Sequence, residues 1–94
     1  MPNLTMEPDA AREIVDLVAA AGVAPEGGLR VQALASATAD RPDVTVSVAA
    51  TATDTDTVYV DDATGARVFA DQATADVVAG RALALVDDGE FTVR

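Results

Sequence analysis

The sequence predicts an α+β domain that is mainly β. Short mixed or antiparallel sheets are expected to pack as a sandwich, with one N-terminal helix and one short second helix. Apolar residues recur every three or four positions over residues 8–21, which is typical of an amphipathic helix. Apolar and polar residues alternate over residues 43–49, which is typical of a half-buried strand. Several Gly residues follow the apolar runs, where turns are expected.

The length indicates one domain. The chain has 94 residues, and neither a linker-like stretch nor a repeat divides it. A chain of this size has one small core, and most of its apolar residues are Ala and Val. We therefore expect a single domain over residues 1–94, of modest stability.

The N-terminal elements are a short strand over residues 4–6 and a helix that follows directly. Pro8 suits the first helical turn, and Asp9 suits the positive end of the helix dipole. Gly22 is placed to end the helix in a left-handed conformation. The apolar stripe that is expected to face the core consists of Ala10, Ala11, Ile14, Leu17, Val18 and Ala21.

Two strands are predicted next, over residues 29–35 and 43–49. In the first strand, Leu29, Val31 and Ala33 share one face. In the second strand, the alternation predicts three inward side chains, those of Val44, Val46 and Val48.

The C-terminal half reads as two hairpins on either side of a second helix. Strands over residues 57–61 and 66–70 flank a turn that is expected to begin at Asp62 and to end with a left-handed Gly65. Asp88-Gly89 predicts a two-residue turn between the last two strands. The helix between the hairpins is predicted over residues 71–80, with Ala73, Val77 and Val78 towards the core and Gly80 at its end.

Composition excludes several classes of function. The chain has no Cys and no His, so thiol chemistry, Cys-ligated zinc and the commonest general base are absent, and we do not expect an enzyme. The net charge of −10 disfavours nucleic acid and anionic membrane surfaces as partners. No charged N-terminal region precedes an apolar run, and no apolar stretch is long enough to span a bilayer, so a cytoplasmic protein is expected.

The order of several phrases resembles the HesB/IscA family, the A-type iron–sulfur carriers. The phrases are LTMEPDAAREIVDLVAAAG, GGLRV, DTVYVDDATGARVFAD and VVAGRALALVDDGEFTV, which occur in the family's order over nearly the whole chain. The resemblance implies a HesB-like domain with a link to iron–sulfur cluster assembly.

The same resemblance implies metal-binding cysteines that this sequence does not have. The family carries one Cys a few residues after the Gly-Leu-Arg strand, where this chain reads ASATADRP over residues 35–42. It also carries a Cys-Gly-Cys tail, and this chain ends at Arg94, just after the strand of Phe91. Cluster ligation needs Cys thiolates, or His in their place. We therefore expect a degenerate member that holds no cofactor and serves in interaction or structure.

A cluster of carboxylates offers an alternative function from a different class. Asp54, Asp56, Asp61 and Asp62 lie close together in the sequence, and hard cations such as calcium, magnesium or ferrous ion prefer oxygen ligands. Their spacing is not that of a calcium-binding loop, because position 58 is Val. A turn-initiating Asp and a solvated loop explain the same residues.

The largest apolar groups outside the first helix suggest a surface for self-association or for a protein partner. Tyr59 and Phe69 fall in facing strands of a predicted hairpin, as an aromatic pair in the core or as an exposed anchor. A partner is expected to contact Tyr59, Val68 and Phe69. A monomer with those rings inside is the alternative.

Overall fold

The two predicted helices are present, together with seven strands. The computed structural model describes residues 4–23, 26–38, 40–41, 43–86 and 89–94. In chain order the elements are β1 Leu4–Met6, α1 Pro8–Ala21, β2 Gly28–Ala33, β3 Val44–Ala49, β4 Thr57–Val60, β5 Arg67–Ala70, α2 Gln72–Val78, β6 Arg81–Leu85 and β7 Phe91–Val93. The predicted fold class, α+β and mainly β, is confirmed.

The strands form two mixed sheets. The first has the order β1-β6-β7, with β1 parallel to β6 and β7 antiparallel to β6. The second has the order β3-β2-β5-β4, and its central pair, β2 and β5, is parallel. The pairing of β1 with β6 joins the N-terminal strand to the C-terminal hairpin. The strands β3 and β4 form the two edges of the second sheet.

Helix α1 packs against both sheets and holds the core between them. It begins with Pro8 at its first position and ends at Gly22, whose φ of 74° is left-handed, as predicted. Ala10 and Ala11 are fully buried, so the helix backbone approaches the strands closely. Ile14 and Val18 complete the buried stripe, whereas Ala21 is exposed, contrary to the prediction. The core also contains Leu29, Val31, Val68, Val78 and Leu83.

The predicted inward face of β3 agrees with the register, but two of its three side chains stay exposed. Val46 lies beside Val31 in the sheet and Val48 lies beside Leu29, so both valines point to the core side of the sheet. They are nevertheless 36% and 38% exposed. Because β3 is an edge strand, no strand of the described chain lies on its outer side to cover them.

Of the three residues of α2 that were predicted towards the core, Val78 is buried and Val77 is partly buried, as predicted, but Ala73 is not. Ala73 is exposed, whereas Thr74 and Ala75 are buried with Val78. The cause is polar: the Thr74 hydroxyl accepts a hydrogen bond from the backbone N–H of Ala33, at 2.9 Å. This bond satisfies a donor at the end of β2 and ties α2 to the second sheet.

The predicted β4–β5 turn differs in detail. The β4–β5 turn begins at Asp61 and not at Asp62, because the Asp61 carbonyl accepts the Gly65 N–H at 2.7 Å. Gly65 is left-handed, with φ of 78°, as predicted. In the last hairpin the Val86 N–H donates to the Glu90 carbonyl at 2.8 Å. Asp88 of the predicted Asp-Gly turn lies outside the described residues.

Candidate functional site

The four carboxylates of the predicted alternative metal site lie at opposite ends of β4. Asp54 and Asp56 precede the strand, and Asp61 and Asp62 follow it. The five residue steps from Asp56 to Asp61 span about 16 Å of extended chain. In the part of the chain that the structure describes, no group of three or more acidic, Cys or His side chains is placed to hold a metal ion. These four residues therefore do not converge into one site.

Two of these carboxylates already have protein partners. Both oxygens of Asp56 accept hydrogen bonds from the Arg30 guanidinium, at 3.1 and 2.7 Å. Asp61 accepts from the backbone N–H and the hydroxyl of Thr64, at 3.1 and 2.6 Å, within its own turn. Their roles are structural in this chain.

The ion pair of Arg30 and Asp56 is the main buried polar feature. The Asp56 side chain is only 1% exposed, and that of Arg30 is 20% exposed. The Thr53 N–H donates a further bond to Asp56, at 2.8 Å. The Arg30 guanidinium lowers the pKa of Asp56 to about 2, against the opposing effect of burial. The carboxylate therefore stays ionised and fastens the segment before β4 onto β2.

Sequence reasoning missed this pair, although one signal was present. Arg30 is the one charged residue of the 29–35 strand, and it lies opposite the apolar face. A charge on a strand that is covered by a neighbouring loop requires a partner. The partner, Asp56, lies 26 positions away. Its spacing in the sequence did not distinguish it from the other three acids of the predicted cluster.

The loop between β2 and β3 occupies the region where the resemblance implied a Cys. The Leu34 N–H donates to the Asp43 carbonyl at 3.0 Å, which extends the hairpin beyond the strands. Thr38 and Arg41 exchange two backbone hydrogen bonds, each of 3.0 Å, and so close a tight turn. Ala39 and Pro42 lie outside the described residues. The described side chains of this loop supply hydroxyl and carboxylate oxygens, but neither thiolate nor imidazole.

The three predicted partner-contact residues are buried within the chain. Tyr59, Val68 and Phe69 are 9%, 0% and 1% exposed. Tyr59 lies beside Val68, whereas Phe69 lies beside Val58, so the two aromatic rings are on opposite faces of the sheet. The predicted aromatic pair is wrong for this reason. The three side chains share no exposed surface, although association of the chain remains a prediction.

Open pockets that the sequence did not indicate lie at two places among the described residues. One, of about 250 Å³, lies between α1 and the end of the β4–β5 turn, with Ile14, Val18 and Ala66 among its lining residues. The other, of about 240 Å³, lies between the start of β3 and β7. The first is mainly apolar, and the lining of the second includes one carboxylate, that of Asp43. Neither lining offers an acid and a base in contact.

One further observation concerns membranes. Across the described ranges, the helices are too short or too polar to span a bilayer, and the longer one, α1, has 14 residues.

The comparisons with known proteins bear on the fold. No family model matches the sequence. A search of curated proteins returned no match. Among solved structures, the crystal structure of Escherichia coli SufA, which is involved in the biosynthesis of iron–sulfur clusters, is similar with a TM-score of 0.77. The superposition covers 98% of this chain and 79% of that chain, at 21% sequence identity. At this identity the likeness shows the fold alone: the chain has a fold similar to that of SufA, with two helices and two mixed sheets.

Proposed function

We propose that this chain is a non-enzymatic HesB/IscA-like domain that does not ligate an iron–sulfur cluster. It acts as a small interaction or structural protein that is connected with iron–sulfur cluster assembly. One observation carries the proposal: the fold matches SufA over 98% of this chain, yet the 94 residues include no Cys and no His.

The residues present do not fit a cluster. Iron–sulfur clusters are held by Cys thiolates, with His as the usual substitute, and this sequence has neither. Carboxylates are harder ligands, and the most buried one, Asp56, is already bonded to Arg30 and Thr53. A cluster that met these side chains would gain no soft ligand.

Several observations favour a protein without catalysis. The sequence lacks His and Cys, so a nucleophile would rely on a carboxylate as its base. The carboxylate with the largest lowering of its pKa, Asp56, is a partner in an ion pair and is closed to solvent. Such a perturbed pKa arises in structural ion pairs as well as in active sites. SufA itself is described by its part in cluster biosynthesis.

Anaerobic reconstitution with ferrous iron and sulfide tests the proposal. After desalting, the chain is expected to remain colourless and to retain neither iron nor sulfide in stoichiometric amounts. A protein with a Cys-ligated iron–sulfur cluster, treated in parallel, is the positive control for the reconstitution conditions. A brown protein with stable charge-transfer absorbance and bound sulfide would refute the proposal, because those bands come from ligated clusters.

A further inference from the structure

The outer edge of β3 has backbone hydrogen-bonding groups that the described chain leaves unpaired. The Leu34 N–H bonds to the Asp43 carbonyl, and the register pairs Ala33 with Val44 and Val31 with Val46. Since bonded and non-bonded pairs alternate in an antiparallel ladder, Thr45 and Ser47 bond to β2. The N–H and C=O groups of Val44, Val46 and Val48 therefore point away from β2. Among the described residues, no strand pairs with that side of β3.

The side chains along this edge are apolar on one face and uncharged throughout. Val46 and Val48 are 36% and 38% exposed, on the same face of the sheet as the buried Leu29 and Val31. The sequence from Val44 to Thr53 has no charged residue, in a chain whose net charge is −10. Native edge strands are usually protected by charges, Pro or bulges, and β3 has no charged residue and no Pro.

The opposite edge of the same sheet is protected. Strand β4 also exposes two valines, Val58 and Val60, but it has only four residues. Acidic residues bracket it on both sides, Asp54 and Asp56 before it and Asp61 and Asp62 after it. A second copy brought to β4 would meet like charges at both ends, whereas at β3 it would meet a neutral strand.

We propose that β3 is the contact surface for a second copy of this chain. The two β3 strands pair antiparallel about a twofold axis, with Val46 opposite Val46 and Val44 opposite Val48. This register matches each outward N–H with an outward carbonyl and joins two four-stranded sheets into one of eight strands. The valines of both copies then cover one another on the face that also contacts α1.

A second copy fits this edge better than other occupants. The unpaired backbone groups require an extended strand, and the neutral apolar face requires an uncharged, alternating one. Residues 44–49 of this chain are such a strand. A basic partner would be attracted to the acidic surface of the chain and not to the uncharged strand β3. The proposal does not depend on the loss of cluster ligation, and the cluster reconstitution does not test it.

Sedimentation over a range of protein concentrations at high salt tests the proposal. Salt screens the repulsion between two acidic copies, so dimer is expected to increase with salt. Val46→Lys places two like charges opposite each other at the axis, and we expect it to raise the dimer dissociation constant at least ~10-fold. Val58→Lys is the matched control: it makes the same change in charge at a similarly exposed valine of β4, and it should leave the dissociation constant unchanged.

Amide hydrogen exchange of the unaltered chain is the second measurement, which remains valid if Val46→Lys does not fold. The Val46 and Val48 amides should become slower to exchange as the protein concentration rises. The Thr45 and Ser47 amides, which already bond to β2, should change little. A monomer at all concentrations in high salt, an equal effect of the two lysines, or Val46 exchange that is independent of concentration would each overturn the proposal.

Discussion

At the scale of single residues, the Arg30–Asp56 pair has the largest consequence for stability. Its two hydrogen bonds are bidentate, and the Asp56 side chain is almost completely removed from water. Breaking such a pair leaves a charge without a partner, which costs more than the net contribution of the intact pair. Asp56 also links sequence segments that are 26 positions apart.

This pair predicts how stability depends on pH. The pKa of Asp56 falls from 3.8 to about 2 in the folded chain, chiefly through the hydrogen bond with Arg30. Its contribution is therefore fully present above pH ~4 and is lost as the pH falls towards ~2. Asp56→Asn is expected to lower the free energy of unfolding by roughly 2 kcal/mol at neutral pH. Urea titrations at neutral and acidic pH measure both effects.

Asp54→Asn is the control for this prediction. Asp54 is exposed and lies two residues before Asp56, so its replacement makes the same change in charge without removing the pair. The variant should keep most of the acid sensitivity of the unaltered chain, whereas Asp56→Asn should weaken it. If the two variants lost equal stability and kept the same pH profile, Asp56 would not be a stabilising ion-pair partner.

Single residues also show where prediction from sequence succeeds. Gly22 and Gly65 were identified as left-handed, because one ends a helix and the other ends a tight turn, where local geometry decides the backbone conformation. The partner of Arg30 was not identified, and neither were the opposite faces of Tyr59 and Phe69. The first depends on a contact between segments that are 26 positions apart, and the second on the hairpin register, which places Tyr59 opposite Val68 and not opposite Phe69.

At the scale of secondary-structure elements, periodicity located the strands but not their neighbours. The alternation in residues 43–49 is real, yet it does not distinguish an edge strand from a central one. The parallel pairing of β2 with β5 passes through a long connection, and no local signal marks it. Thr74 of α2 was overlooked for the same reason. Its buried hydroxyl accepts a hydrogen bond from Ala33 of β2, which lies 41 positions away.

The hairpin of β4 and β5 gives a prediction at this scale. Phe69 is 1% exposed, and its ring lies close to Gly28, where an added Cβ would be 3.0 Å from the ring and 2.6 Å from the Arg67 carbonyl oxygen. Phe69→Ala would leave a cavity that this tight backbone contact cannot close. We expect it to lower the free energy of unfolding by about 3–5 kcal/mol, measured by urea denaturation.

Val58→Ala is the matched control for the same hairpin. Val58 lies beside Phe69 across the two strands but is 44% exposed, so its truncation should cost less than ~1 kcal/mol. The monomer content of both variants, measured by sedimentation, should equal that of the unaltered chain. A small loss of stability with Phe69→Ala, together with a loss of association, would instead make Phe69 a partner contact.

At the scale of the whole molecule, the chain combines a large excess of acidic residues with a small core. Sixteen acidic residues face six arginines, and the described carboxylates other than Asp56 are at least partly accessible. The core is rich in Ala and Val, which bury less apolar area per residue than Leu or Phe. A modest core therefore works against the self-repulsion of a net charge of −10.

We accordingly predict that sodium chloride stabilises the folded chain. Raising the salt from ~0.01 to ~0.1 M shortens the screening length from about 30 Å, which is comparable with the size of the molecule, to about 10 Å. We expect a gain of about 1 kcal/mol in the free energy of unfolding, which corresponds to a rise of roughly 4–8 °C in the Tm of a domain of this size. Thermal unfolding at a protein concentration where sedimentation finds monomer alone measures this gain without a contribution from association.

The double variant Asp54→Lys with Asp62→Lys, at two exposed positions, reduces the net charge from −10 to −6. Because self-repulsion scales with the square of the charge, its salt gain should fall to about one third. An equal gain in both proteins would assign the effect to the salt's action on apolar surface and not to screening.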